Sequence, residues 1–274
     1  PNPAPWLETL FVFLFERLPI GGVSWVLDRL LSLGAKSPRR YLLVMEDIAD
    51  ARPPSQVAGG SIADALGGLD LLARFHAHNW MNQDLRDSNP IVWGLGRTPK
   101  VVQASYRRNR SAFVGRFGAL IGDGMVAKMD EVQERLPELA SQIQGEPWTL
   151  CHGDYRLDNL MFRPDGQIVV LDWQGLGWGR PGWEVAYFIT TALEPHHRDE
   201  EQMMLRRYHQ VLVEEGVRDY SYEDLIEDVT ATKAVLAHRM VAGDDLLDTG
   251  MEDGDPDFVD VLVQRVAGWV DLTN

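Results

Sequence analysis

Two short apolar runs flank a four-residue turn in the middle of this chain, with acids and an amide at their outer ends. The segment, Cys151–Trp173, reads CHGDYRLDNLMFRPDGQIVVLDW. Arg163-Pro164-Asp165-Gly166 is turn chemistry: proline presets φ and glycine accepts a positive one. Asn159–Phe162 and Gln167–Trp173 flank it with apolar and β-branched residues, so a β-hairpin is predicted. Antiparallel neighbours lie about 5 Å apart, and the hairpin therefore folds Asn159 back toward Asp172. Asp154 follows Gly153 in a tight turn just ahead.

A carboxylate and an amide oxygen facing each other suit Mg²⁺, a hard cation that takes a few protein oxygens and completes its shell with phosphate and water. A further carboxylate beside such a site can accept the proton of an attacking hydroxyl. Taken singly, Asp154, Asn159 and Asp172 read as turn caps. Together, in this order around one hairpin, they read as a site.

Along the rest of the chain the signal is mostly helical. Trp6–Leu18 is dense enough in apolar residues for a buried helix, closed by Pro19 and Gly21-Gly22. Val23–Leu33 fits helix or strand. Arg40–Ile48, RYLLVMEDI, is a continuous apolar run ending in acids and reads as a buried strand. Ser61 with Asp64 resembles a helix cap, after which Ile62, Leu66, Leu69, Ala73 and His76 share one face. Val101–Phe117 and Gly124–Ile143 form two helices separated by glycines. Beyond the hairpin, helices are predicted at Trp183–Leu193, Glu200–Glu215, Tyr222–Ala242 and Pro256–Val270.

The formal charge, 26 − 41 = −15, argues against a nucleic-acid partner, whose phosphates would be repelled. The one cysteine, Cys151, cannot form an internal bridge, which fits a reducing cytoplasm. There is no basic leader and no span of about 20 apolar residues, so neither signal peptide nor membrane helix is expected. Scattered histidines speak against a metal-dependent hydrolase.

HGDYRLDN followed by VVLDWQ resembles the catalytic loop and metal-binding segment of the aminoglycoside phosphotransferase and choline kinase-like superfamily, and within it the branch that includes the ecdysteroid kinase-like proteins. RYLLVMEDI looks like that family's hinge strand, LARFHAHNW like its first C-lobe helix, and GRPGWEVAYFI like the segment after the metal-binding aspartate. The resemblance implies an α+β, protein kinase-like two-lobed fold: residues 1–47 a partial N-lobe with a helix and the hinge strand, residues 48–274 a mostly helical C-lobe carrying the catalytic hairpin. It implies ATP-dependent transfer of a γ-phosphate to a hydroxyl of a small molecule. Asp154 would be the base, Asn159 and Asp172 the Mg²⁺ ligands. Backbone groups of Glu46 and Ile48 would hold adenine, with Met45 beside the ring.

Several neighbours take structural roles in this reading. His152 braces the catalytic loop, His76 is a satisfied core histidine, Cys151 has no partner base, and Glu184 is a helix-start or loop-bracing acid. Arg156 and Asp158 either touch phosphate or substrate or pair within the loop. Trp173, Trp178 and Trp183 belong to core and cleft wall. The acceptor stays open between a hydrophobic alcohol and a cationic compound.

The sequence departs from the family pattern ahead of the hinge. No glycine-rich loop appears there, and the single upstream lysine, Lys36, stands too late in order. Glu8 resembles the glutamate that follows the lysine strand, and the chain begins with Pro rather than Met. Two expectations follow: a trimmed piece of an active kinase, or a non-catalytic, pseudokinase-like nucleotide- or metabolite-binding module. In either case a homodimer or another partner would cover the incomplete lobe. The remaining expectations are a small hydroxyl-bearing substrate, no nucleic acid, no membrane and a cytoplasmic location.

Overall fold

Leu69, Leu72 and Ala73 sit at the centre of the core with no solvent contact, and the helix that carries them sets the frame of the molecule. The computed structural model describes residues 17–34, 44, 46–89, 93–94, 98–242 and 256–272, without the side chains at 27–28, 30–34, 93–94 and 256–257. Glu8, Lys36 and Met45 lie outside the described residues, as does the predicted helix Trp6–Leu18 up to residue 16. The described part is a mixed α+β structure, mostly helical.

Helix α1 spans Ile20–Gly34 and α2 spans Ile62–His78. Ser61 caps α2 by accepting from the Asp64 N–H at 3.1 Å, which satisfies one of the first-turn donors. Burying Leu69 and Leu72 contributes about 1.5–3 kcal/mol each. The short helix α3, Gln83–Ser88, precedes the two-residue strand β1, Trp93–Gly94.

Helix α4, Pro99–Ile143, doubles back on itself at Gly122, where φ is 80° and ψ is 160°. In a straight helix, residues thirty apart would stand about 45 Å apart. Instead Gln103 Nε2 donates to the Gln133 carbonyl at 2.6 Å, and Gln133 Nε2 returns a bond to the Gln103 carbonyl at 3.2 Å. Glycine supplies the backbone conformation that a β-carbon would oppose.

Strand β2, Thr149–Cys151, leads to the hairpin of β3, Leu160–Phe162, and β4, Ile168–Val170. These two pair antiparallel in the register Leu160↔Val170, Met161↔Val169, Phe162↔Ile168. Strand β5, Gly177–Gly179, lies between β1 (parallel) and β2 (antiparallel). Helices α5 (Gly182–Ala192), α6 (Glu201–Glu214), α7 (Tyr222–Ala242) and α8 (Pro256–Trp269) complete the body. α2 packs on α6, α5 on α7, and both halves of the core meet along α4 and α7. α5 is largely apolar and nearly every residue of it is buried, with the polar side chains Glu184, Tyr187 and Thr191 hydrogen-bonded.

One expectation needs correction. Val44 and residues 46–48 form no strand, and Val44 is 82% exposed. A strand needs a ladder partner, and among the described residues this segment finds none before Arg52 bridges to Phe162. The ambiguous Val23–Leu33 is helical, within α1. Among the described residues no helix is long and apolar enough to cross a membrane.

Candidate active site

Gly153 makes the catalytic-loop turn possible. Its φ is +85°, and a β-carbon there would meet the Gly175 carbonyl oxygen at 1.8 Å. The turn is pinned from α5, whose Glu184 carboxylate accepts from the His152 N–H at 2.9 Å and the Gly153 N–H at 2.6 Å. Glu184 is in turn held by His76 Nε2 at 3.0 Å, and His76 Nδ1 lies 2.6 Å from the Tyr208 hydroxyl. With Nε2 donating to the carboxylate, Nδ1 is left to accept from the tyrosine.

Cys151 sits beside this brace, and His76, Cys151 and Glu184 bring donor atoms within 4.8 Å of one another. The histidine and carboxylate atoms are already spent on hydrogen bonds. Burial, and then the Glu184 charge, pushes the Cys151 thiol well above its ordinary range. The group is a structural brace, with no exposed thiolate to act as a nucleophile.

His152 also has no solvent contact, and its Nε2 meets the Leu171 carbonyl at 2.8 Å. That bond ties the turn to the end of β4. The hairpin closes as expected: the Leu171 N–H donates to the Asn159 carbonyl at 2.8 Å, placing Asn159 beside the residue before Asp172. Asn159 lies in a single 3₁₀ turn, Leu157–Asn159, rather than in the strand itself.

Asn159 is buried, and its side-chain nitrogen donates to the Asp154 carbonyl at 2.7 Å and to Asp154 Oδ2 at 3.1 Å. Both neighbours are acceptors, which fixes the amide orientation. Asn159 Oδ1 has no hydrogen-bond partner among the described residues. Asp172 stands in the left-handed region, φ 59° and ψ 63°, at the entry to the 3₁₀ turn Trp173–Gly175. It is exposed, and among the described residues its one side-chain hydrogen bond is a long one, 3.4 Å from Gln174 Nε2 to Oδ2. Aspartate is among the few non-glycine residues that adopt this region readily.

The Asp154 carboxylate meets three donors: Tyr187 Oη at 2.6 Å, Asn159 Nδ2 at 3.1 Å and Arg156 Nε at 3.3 Å. Arg156 also reaches Asp158 Oδ2 at 2.8 Å, so the loop's charged pair is engaged within the loop. Asp158 is anchored further by the Gln56 N–H at 3.2 Å, while Gln56 Nε2 donates to the Thr191 carbonyl at 2.5 Å.

Of the predicted site residues, Asp154 and Asn159 are in direct contact, and Asp172 is joined to them through the hairpin ladder. Glu46 is exposed and Ile48 half-buried, with the Ile48 carbonyl accepting from the Ala51 N–H at 3.1 Å. Trp178 and Trp183 are buried, while Trp173 is 41% exposed. Tyr187 and Gln56 were not singled out by the sequence. Tyr187 follows Glu184 by three positions on one helix, so both fall on the face toward the catalytic loop. Gln56 lies in an irregular loop, where no period marks it.

The site thus comprises a braced HGD turn, an amide locked to an acid and an acid at the hairpin end. Residues 32–220 match the model of the ecdysteroid kinase-like family, and the chain belongs to that family. Among solved structures it is similar to choline kinase LicA from Streptococcus pneumoniae, with 15% identity over 91% of this chain and 79% of that one and a TM-score of 0.44. It is also similar to a candidate aminoglycoside phosphotransferase from Ralstonia eutropha JMP134, with 19% identity over 81% and 70% of the two chains and a TM-score of 0.44. Comparison with curated proteins finds no match.

Proposed function

We propose that this protein transfers the γ-phosphate of ATP to a hydroxyl of a small molecule. The observation that carries the reading is the Asp154–Asn159 pair. The amide nitrogen is committed to Asp154, which leaves the amide oxygen as an available ligand atom. One acid is thus held for the acceptor, and one oxygen is left for the nucleotide's counter-ion.

The donor set fits Mg²⁺. An amide oxygen and a carboxylate are hard ligands, and neither Asn159 Oδ1 nor Asp172 Oδ1 has a hydrogen-bond partner among the described residues. Asn159 and Asp172 would hold the ion, which when bound offsets charge on the phosphates. Asp154 accepts the proton of the acceptor hydroxyl, and the Glu184–His76 brace keeps its turn in place. Membership of a kinase-like family supports the reaction class. Adenine held by the backbone of Glu46 and Ile48, beside Met45, belongs to the same reading.

The test is ADP release from Mg·ATP by the full chain against a panel of hydroxyl-bearing metabolites. Asp154→Ala should abolish it. Turnover equal in the variant and the unaltered protein would remove Asp154 from the reaction.

A further inference from the structure

An ionised carboxylate offers about four acceptor positions, two on each oxygen. In Asp154 three are filled by the protein. Oδ2 takes both Asn159 Nδ2, at 3.1 Å, and Arg156 Nε, at 3.3 Å. Oδ1 takes one donor, the Tyr187 phenol, at 2.6 Å. Among the described residues, the acceptor position left open is therefore on Oδ1.

We propose that the acceptor hydroxyl binds Oδ1 of Asp154 beside the Tyr187 oxygen, and that Tyr187 is the positioning residue that holds the carboxylate for it. This rests on the phosphotransfer reading above.

The geometry around Tyr187 supports the assignment. The two bonds on Oδ2 are long, at 3.1 and 3.3 Å, and anchor one oxygen only. The short bond on Oδ1 anchors the other. Its source is rigid: α5 is buried along its length, and the Tyr187 carbonyl accepts from Thr191 Oγ1 at 2.7 Å. The same helix, one turn earlier, holds the His152 and Gly153 amides through Glu184. A single helix face thus fixes the backbone of the turn and the plane of its acid. Burial, followed by the Asp154 charge, raises the Tyr187 phenol well above its ordinary range, so it remains an O–H donor. On the Oδ2 side, the Arg156 guanidinium lies 5.6 Å from the Phe258 ring centroid, a contact that brings α8 to this end of the site.

The step balances. The acceptor O–H bond breaks and its proton passes to Oδ1. The acceptor oxygen forms a bond to the γ-phosphorus, and the bridging bond to ADP breaks. Tyr187 keeps its proton throughout, which separates its task from that of the base.

The experiment measures ADP release from Mg·ATP, with water and with the hydroxyl-bearing panel as acceptors, comparing the full chain with Tyr187→Phe and Asp154→Ala. Losing the phenol should lower kcat by about 10-fold, a part of what general base catalysis contributes, with KM for ATP unchanged. Tyr187→Phe at the unaltered rate, with Asp154→Ala inactive, would overturn this inference and leave the phosphotransfer reading standing. A parallel loss of kcat and ATP affinity in Tyr187→Phe would assign the tyrosine to packing and overturn it equally. No ADP release from the unaltered chain with water or with any member of the hydroxyl-bearing panel, or undiminished release from Asp154→Ala, would remove both.

Discussion

His76 Nε2 lies 3.0 Å from Oε2 of Glu184, and neither side chain has appreciable contact with solvent. The pair joins α2 to α5 and, through the two amides that Glu184 accepts, to the turn ahead of Asp154. Truncating Glu184 leaves the buried His152 N–H, the half-buried Gly153 N–H and one buried histidine nitrogen without an acceptor. Each unsatisfied group costs about 1–3 kcal/mol. Glu184→Ala is therefore expected to lose at least about 2 kcal/mol of unfolding free energy in urea. A loss confined to a few tenths would mean that water replaces the carboxylate.

Gly153→Ala should be among the most damaging single changes. The added methyl would meet a backbone oxygen at 1.8 Å, and the positive φ resists a side chain even where there is room. Backbone cannot step aside as a flexible side chain can, so a cost of about 3 kcal/mol or more is expected. Thermal unfolding of the variant would measure it, and an unchanged midpoint would contradict the contact.

The acids of the hairpin should separate by role. Asp172→Ala is expected to weaken Mg·ATP binding by about 10-fold or more, because it removes a charged ligand of the ion. Asp154→Ala should leave that affinity within about 2-fold, since its task arises in the transition state. Calorimetric titration with a non-hydrolysable ATP analogue, with and without Mg²⁺, reads both. Equal losses in the two variants would contradict the division.

His238 makes stability depend on pH. Its ring is buried, stacks on Tyr106 at 4.2 Å between centroids, and uses Nε2 to meet Gln133 Oε1 at 2.8 Å, while Nδ1 has no partner among the described residues. Burial first, and then the Arg239 charge, hold its pKa down at about 3, with Asp130 opposing. Unfolded, the residue takes up its proton near pH 6.5. The unfolded chain thus binds more protons between these values. Stability is complete above about pH 6.5 and falls with acid, by up to about 1.4 kcal/mol per pH unit, down to about pH 3. His238→Phe should be less stable at neutral pH, because Gln133 loses a partner, but its stability should fall less steeply between pH 6 and 4. Identical slopes in denaturation series would exclude His238 as the source.

Most of the helical body was legible because its patterns are local. Ser61 as a cap, the shared face of Leu69, Ala73 and His76, and the glycine break within α4 follow from spacing and residue type alone. The hairpin and its two ends were legible for the same reason. Strands β1 and β5 were not, since two or three residues that include glycine carry no period. Of the strand expected at Arg40–Ile48, residues 40–43 and 45 lie outside the described residues, while 44 and 46–48 lie in no strand, because apolar content makes a strand only where a partner is present. Tyr187 and Gln56 escaped for another reason. Their contacts join residues 33 and 102 positions apart, which no window of sequence spans.

Gln56 has a consequence for the order in which the molecule assembles. Its carbonyl accepts from Arg265 of α8, 209 positions later, while its own groups hold Asp158 of the catalytic loop and the Thr191 carbonyl at the end of α5. Arg265 is almost fully enclosed and also bonds the Thr191 and Val57 carbonyls and Glu194. Closing so long a loop is slow compared with forming the helices between its ends. The hairpin and its flanking helices should therefore collapse first, and the acid-bearing turn should gain its final rigidity only when α8 docks. In pulsed hydrogen exchange during refolding, the amides around Asp158 are expected to become protected together with those of α8, well after those of α2 and α5. A nascent chain still lacking α8 would then carry the Asp154 turn in an unfinished arrangement, and the turn would set only after most of the intervening chain has folded.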